Sequence, residues 1–299
     1  MVSVSASSLL VARTAGPAEV LRTVARALES GQSAVLATVL RRRGSTPATP
    51  GQKLALVGAS ELVGTVGGGA LEQDVIEQLR AAAADPRSEP VVHGIDLRQA
   101  YGMACGGTVE LLVEPLLPAR PVLVVGAGHV GCAVAPLLAE TGFRVVLCDT
   151  RAPCVAAARR HESAQLTVLE GGPPEPSILE AVGSRLGDAA VLVMTHDHAL
   201  DEEMVGWALE RDFGFVGGVG SRNKAARLRA AFARRGLAAE RVAELRMPLG
   251  VDIGARSPAE IAVAIAGQLV AWRAASDRGG EVPASSPPEP DRGQSDTSE

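Results

Sequence analysis

Residues 121–149 constrain the fold more than any other stretch: Pro121-Val-Leu-Val-Val-Gly126-Ala-Gly128-His129-Val-Gly131, followed by Arg144-Val-Val-Leu-Cys-Asp149. This reads as a buried strand, a glycine-rich turn, a helix and a second strand that ends in a carboxylate. Each glycine has a physical task. Gly126 permits the tight turn, Gly128 lets backbone N–H groups approach an anion, and Gly131 lets the helix lie close on the strand. Asp149 stands 23 residues beyond Gly126, a spacing at which an acid can reach a ribose hydroxyl. The pattern predicts a Rossmann-like unit. It says less about function, because such a turn also serves ligands other than NAD.

The alternation continues after Asp149. Strands are expected near residues 165–169, 188–194 and 214–219 with helices between them, an order that calls for parallel pairing and right-handed crossovers. A last helix starts cleanly, with Ser257 as N-cap, Pro258 in the first turn and Glu260 completing a capping box. Upstream, residues 17–30 read as a helix and residues 33–40 and 53–57 as strands. Gly64-Thr-Val-Gly67-Gly68-Gly69 then opens a helix with Leu71, Val75, Ile76 and Leu79 at helical spacing. Further strands are expected at 90–96 and 108–113, and the proline-rich stretch 114–121 separates the two halves. The expected architecture is α/β: a C-terminal Rossmann-like doubly wound parallel sheet at 118–274 and a smaller N-terminal α/β domain at 17–117. Residues 1–16 form an N-terminal extension. The acidic tail 275–299, dominated by Gly, Ser, Pro and acids, should be disordered because it has too little apolar surface to offset ordering.

Composition narrows the classes of function. Of 299 residues 46% are hydrophobic and only 2% aromatic, so cores are built from Ala, Val and Leu, and stacking platforms for bases are nearly absent. The net charge of -5 points the same way, and most of it sits in residues 277–299, with six acids against two arginines. Nucleic acid is therefore not an expected partner, nor is a membrane, since no long uncharged apolar span occurs. Four cysteines, Cys105, Cys132, Cys148 and Cys154, lack C-x-x-C spacing and fit a reducing compartment. With no basic region before the short apolar run at the N-terminus, the expected location is the cytoplasm.

Several loops can carry chemistry. Gly67, Gly68 and Gly69 precede a helix whose free N–H groups can hold a phosphate, or they are simply a tight turn. Arg43, Gly44 and Ser45 can complete that pocket or form a solvated loop. Cys105 lies beside Gly106 and Gly107 and is either a soft metal ligand or nucleophile, or a structural turn cysteine. Cys132 and Cys148 fall in apolar patterns and read as small core residues. His196 and His198 would share a face of an extended backbone, where polar contact to a ligand is favoured over metal binding, and Asp201 would cap or charge the next helix. Gly220, Ser221, Arg222 and Lys224 can bind an anion by backbone and charge together, although Ser221 is equally a plain N-cap. Asp252, in a glycine-rich turn with Arg256, can line the same crevice.

Taken together, Arg43-Gly-Ser-x-Pro, Gly64-Thr-x-Gly-Gly-Gly69, Cys105-Gly-Gly, Gly126-x-Gly-His-Val-Gly, Thr195-His-x-His-Ala-x-Asp201, Gly220-Ser-Arg-x-Lys and Pro248-x-Gly-x-Asp-Ile-Gly-Ala resemble the XdhC/CoxI family of xanthine dehydrogenase accessory proteins. The chain departs from the family pattern at Ala48 and Gly218. The resemblance implies a non-catalytic maturation factor. Such a chaperone binds molybdenum cofactor (molybdopterin), protects it while a cysteine desulfurase supplies the terminal sulfur, and delivers it to the large subunit of a molybdenum hydroxylase. It also implies a homodimer. On this reading the glycine loops hold the cofactor's phosphate and Cys105 faces the molybdenum. The rival reading is an NAD(P)-dependent oxidoreductase using the Gly126 loop and Asp149, with His129, His196 and His198 as the candidates for proton transfer. A nucleotide-sensing partner of another enzyme is a third.

Overall fold

The computed structural model describes residues 12–85, 87–101, 107–183 and 185–277, and they divide into two compact units between Ala119 and Arg120. The N-terminal unit comprises α1 (Pro17–Glu29), β1 (Ala34–Arg43), β2 (Lys53–Val57), β3 (Glu61–Gly64), α2 (Gly69–Ala84), β4 (Val91–Asp96), α3 (Leu97–Tyr101) and β5 (Thr108–Leu116). Its sheet runs β3-β2-β1-β5-β4, with every neighbouring pair antiparallel. Alternation along β1 sends Ala34 and Leu36 toward Val20, Val24 and Ala27 of α1, and Val35 and Ala37 toward Leu71, Val75, Ile76 and Leu79 of α2. The sheet is thus covered on both faces. Each of the four fully buried α2 side chains contributes about 1.5–3 kcal/mol by leaving water. Residues 12–16 are part of this unit, because Arg13 exchanges backbone hydrogen bonds with Leu62 and Gly64.

The C-terminal unit comprises β6 (Pro121–Val125), α4 (His129–Glu140), β7 (Arg144–Asp149), α5 (Ala152–Ala158), β8 (Leu166–Glu170), α6 (Pro176–Val182), β9 (Ala190–Val193), α7 (His198–Leu209), β10 (Phe215–Gly218), α8 (Arg222–Arg234), α9 (Ala239–Ala243), β11 (Leu245–Arg246) and α10 (Pro258–Asp277). Six parallel strands run β11-β10-β9-β6-β7-β8, so the strand order reverses beside β6 and opens a crevice at its carboxyl end. Val122, Val124, Val145 and Leu147 face one core, shared with α4 and α10. Leu123, Val125, Val146 and Cys148 face the other, shared with α6, α7 and α8. The start of β6 is fastened to the end of α10: the Arg120 guanidinium lies 5.1 Å from the Trp272 ring centroid and pairs with Asp277 at 2.5 Å.

The expected doubly wound sheet is present, as is the capping box, in which Ser257 N donates to Glu260 Oε2 at 2.9 Å and Glu260 N to Ser257 Oγ at 3.3 Å. Two short strands, β3 and β11, have no counterpart in the sequence pattern. α10 continues to Asp277, beyond the expected domain end at 274; the rest of the acidic tail and residues 1–11 lie outside the described residues.

Candidate functional site

In the N-terminal unit three of the sequence motifs meet on one loop. A Cβ placed on Gly67 would come within 2.9 Å of Ala48 N, and one on Gly107 within 2.6 Å of Arg43 O and 2.7 Å of Ser45 O. The segment from Arg43 to Ala48, including Gly44, is therefore pressed between the two glycine turns. Gly67 has φ 124° and needs to be glycine for this approach. Glu72, in the first turn of α2, ties the turn down by accepting from Thr65 Oγ1 at 2.5 Å and Val66 N at 3.3 Å. Gly68 and Gly69 differ: a side chain there would meet open space, and no side chain caps α2. The uncapped N–H groups of α2's first turn suit an anion. Cys105 and Gly106 lie outside the described residues, and so does the expected metal contact.

In the C-terminal unit a cavity of about 1120 Å³ opens at the switch point. Gly128, His129, His196, His198, Gly220, Ser221 and Lys224 line it, so sequence-separated motif segments converge there. Gly131 is a packing residue, because its Cβ would stand 1.9 Å from Gly126 O; Gly126 in turn would meet Met194 O at 2.5 Å. Only Gly128 of the three faces open space. Gly126 and Asp149 line a second cavity of about 220 Å³, which His196 borders as well.

Asp149 is not disposed as its spacing suggested. Its carboxylate accepts from Ala127 N at 2.7 Å, from Arg151 N and Nε at 2.9 Å and from Arg151 Nη2 at 2.7 Å. Burial pushes its pKa up, but the Arg151 side chain and the two backbone donors outweigh that and hold it below the usual carboxylate range. Asp149 thus locks the glycine turn to Arg151, two residues past the end of β7, with no oxygen left over for a ribose.

The histidine segment also differs from expectation. β9 ends at Val193, so His196 lies in a turn and His198 begins α7. Asp197, not Asp201, is the N-cap, accepting from Ala199 N at 2.7 Å and Leu200 N at 2.9 Å. Asp201 is instead 4% exposed and accepts from Lys224 Nζ at 2.5 Å and Thr195 Oγ1 at 2.7 Å. This buried pair takes the charge of Lys224 away from any ligand. Ser221 is an N-cap for α8, accepting from Lys224 N at 3.2 Å. Arg222 and Asp252, with side chains 71% and 86% exposed, face each other at 3.5 Å and do not line the cavity. Among the described residues no cluster of three or more His, Cys, Asp or Glu side chains could hold a metal ion.

Sequence reasoning missed other parts of the wall: Arg151, Arg160, Arg227, Cys132 and Cys154. Cys132 packs against the core as expected, but it is only half-buried and also lines the cavity, and burial raises its thiol pKa. Cys148 is a core residue; burial, then the charges of Asp149 and Glu175, push its pKa up to about 12.

Comparison with known proteins decides the family. A model described as the XdhC Rossmann domain matches residues 122–269, and the model of the XdhC and CoxI family matches residues 27–94. The chain belongs to the XdhC and CoxI family. Within this XdhC and CoxI protein, the Arg43 and Gly67–Gly69 motifs fall inside the N-terminal match, and the Gly126, His196 and Gly220 motifs inside the Rossmann match. It is 31% identical over 239 residues to the uncharacterized protein YqeB of Escherichia coli (strain K12), covering 79% of this chain and 42% of that protein. To a probable xanthine dehydrogenase subunit of Bacillus subtilis (strain 168) it is 27% identical over 167 residues, 56% of this chain and 47% of that one. The chain therefore matches less than half the length of either relative. A solved structure of a xanthine dehydrogenase from Bacillus halodurans aligns at 20% identity with a TM-score of 0.45, covering 86% of this chain and 96% of that one. Among the described residues no helix is long and apolar enough to cross a membrane.

Proposed function

We propose that this chain is an accessory protein of a xanthine dehydrogenase-type enzyme. It holds molybdenum cofactor in the N-terminal unit while a cysteine desulfurase supplies the terminal sulfur, then passes the cofactor to the molybdenum hydroxylase large subunit. Family membership supports the accessory role. The observation that carries the binding role is the meeting of Gly67, Gly107 and residues 43–48 beside the uncapped start of α2. The donor set suits a phosphate-bearing pterin. Open backbone N–H groups at Gly68 and Gly69 receive the phosphate, Arg43 and Ser45 offer charge and a hydroxyl to the polar pterin edge, and Cys105 supplies the soft contact to molybdenum that the resemblance implies. Bound cofactor would supply the thiolate-held metal centre that the target enzyme needs; this chain's residues orient and shield it.

The test is pterin and molybdenum content of the full chain purified anaerobically from a cofactor-producing host. Gly69 has φ 64° with open space where a side chain would go, a conformation that Asn and Asp tolerate. Gly69→Asp, which places a negative charge in the anion seat, should lose the pterin, and the neutral Gly69→Asn should keep most of it. Cys105→Ala should lose molybdenum more than pterin. A wild-type chain that retains no pterin, or a Gly69→Asp chain that retains as much as wild type, rejects the binding role.

A further inference from the structure

The cavity of the C-terminal unit has a charge pattern that a pterin phosphate in the other unit does not explain. Four cationic side chains line it, Arg151, Arg160, Lys224 and Arg227, against one carboxylate, Asp201, which Lys224 already satisfies. Among the described residues no acid pairs with Arg160 or Arg227, and both are exposed. Four helices begin at this cavity, of which α5 is only seven residues long and has Pro153 in its first turn. α7 and α8 are capped by their own side chains, Asp197 and Ser221, whereas α4 has glycine at its N-cap and no side-chain cap. The first-turn N–H groups of α4 are left for a ligand, and Gly128 keeps the approach to them open.

The end of β7 says what kind of ligand. A Rossmann site that selects an unmodified ribose presents a free acid there, whereas one that selects a 2′-phosphate presents arginine. Here all the short side-chain contacts of Asp149 run to Ala127 N and Arg151, and the cavity wall carries Arg151, whose Nη1 takes no part in those bonds, and Arg160 in place of a free acid.

We propose that the C-terminal unit binds an NADPH-type dinucleotide, with its pyrophosphate on the first turn of α4 and its adenosine 2′-phosphate held by Arg151 and Arg160. The volume of about 1120 Å³ accommodates such a ligand. This binding is separate from the pterin reading, and each survives the failure of the other.

The experiment is calorimetric titration of the full chain with NADPH, NADH, 2′,5′-ADP and inorganic phosphate. NADPH should bind about tenfold or more tightly than NADH, the effect of one charge-assisted contact made by one ligand and not the other. 2′,5′-ADP should compete with NADPH, and inorganic phosphate should not. Arg160→Ala removes an exposed side chain, so the fold should persist while the preference for NADPH falls several-fold, Arg151 keeping the remainder, and NADH affinity is unchanged. Gly128→Val, which adds bulk where the backbone has room but the ligand needs it, should abolish both. Equal affinities for NADPH and NADH, no binding of either, or a preference untouched by Arg160→Ala would each overturn the proposal.

Discussion

The turn before α2 holds its open glycines, Gly68 and Gly69, at φ 78° and 64°, while the open glycine before α4, Gly128, sits at φ -77°. Both turns press other glycines against neighbouring backbone, and both are tied down by a carboxylate, Glu72 in one and Asp149 in the other. They differ in why the open positions are glycine. In the N-terminal unit backbone conformation alone accounts for the residue, since L side chains rarely adopt those angles. At Gly128 neither conformation nor packing requires glycine, so what remains is close approach by something outside the chain. A glycine with no internal reason is the more informative one.

Substitution can break this comparison at several depths. The largest effect is expected at Gly131→Ala, whose Cβ would overlap Gly126 O at 1.9 Å; the C-terminal unit should lose about 3 kcal/mol or fail to fold, read by denaturant melts. Asp149→Asn comes next, at about 1–3 kcal/mol near neutral pH, because a buried charged acceptor is lost. Since the Asp149 pKa is lowered by folding, its contribution is present above the ordinary carboxylate range and disappears as pH falls through the lower folded value. The melting gap between wild type and Asp149→Asn should accordingly close below about pH 4. Gly68→Ala should cost about 1–3 kcal/mol through strain alone, because φ 78° with ψ 179° is a conformation essentially confined to glycine. Gly128→Ala should be the mildest, within about 0.5 kcal/mol of wild type. If Gly128→Ala destabilises as much as Gly68→Ala, the distinction between the two turns is lost.

The Rossmann unit is legible in the sequence because its strands are nearly continuous apolar runs at regular spacing and its glycines are placed by backbone geometry, which is a local property. β3 escapes such a reading because four residues give too short a pattern, and β11 because two give none. The site is legible where motifs supply backbone, as at Gly128 and Gly220, and illegible where side chains meet across the fold. Arg151 and Arg160 reach the cavity from the residue that precedes α5 and the turn that follows it, a segment with no motif of its own. Asp201 and Lys224 are 23 residues apart and pair only because α7 and α8 are neighbours at the sheet's edge of the crevice. Asp149 stands at the expected spacing, yet its role turns on which donors fold back onto it, and one of them is the residue two positions on.

The contact between Arg120 and Asp277 sets the residue before β6 beside the last residue of α10, so the two ends of the described part of the C-terminal unit lie side by side. A module built that way can be spliced into a loop of an unrelated host, or cut open elsewhere and rejoined by a short linker, without rethreading its sheet.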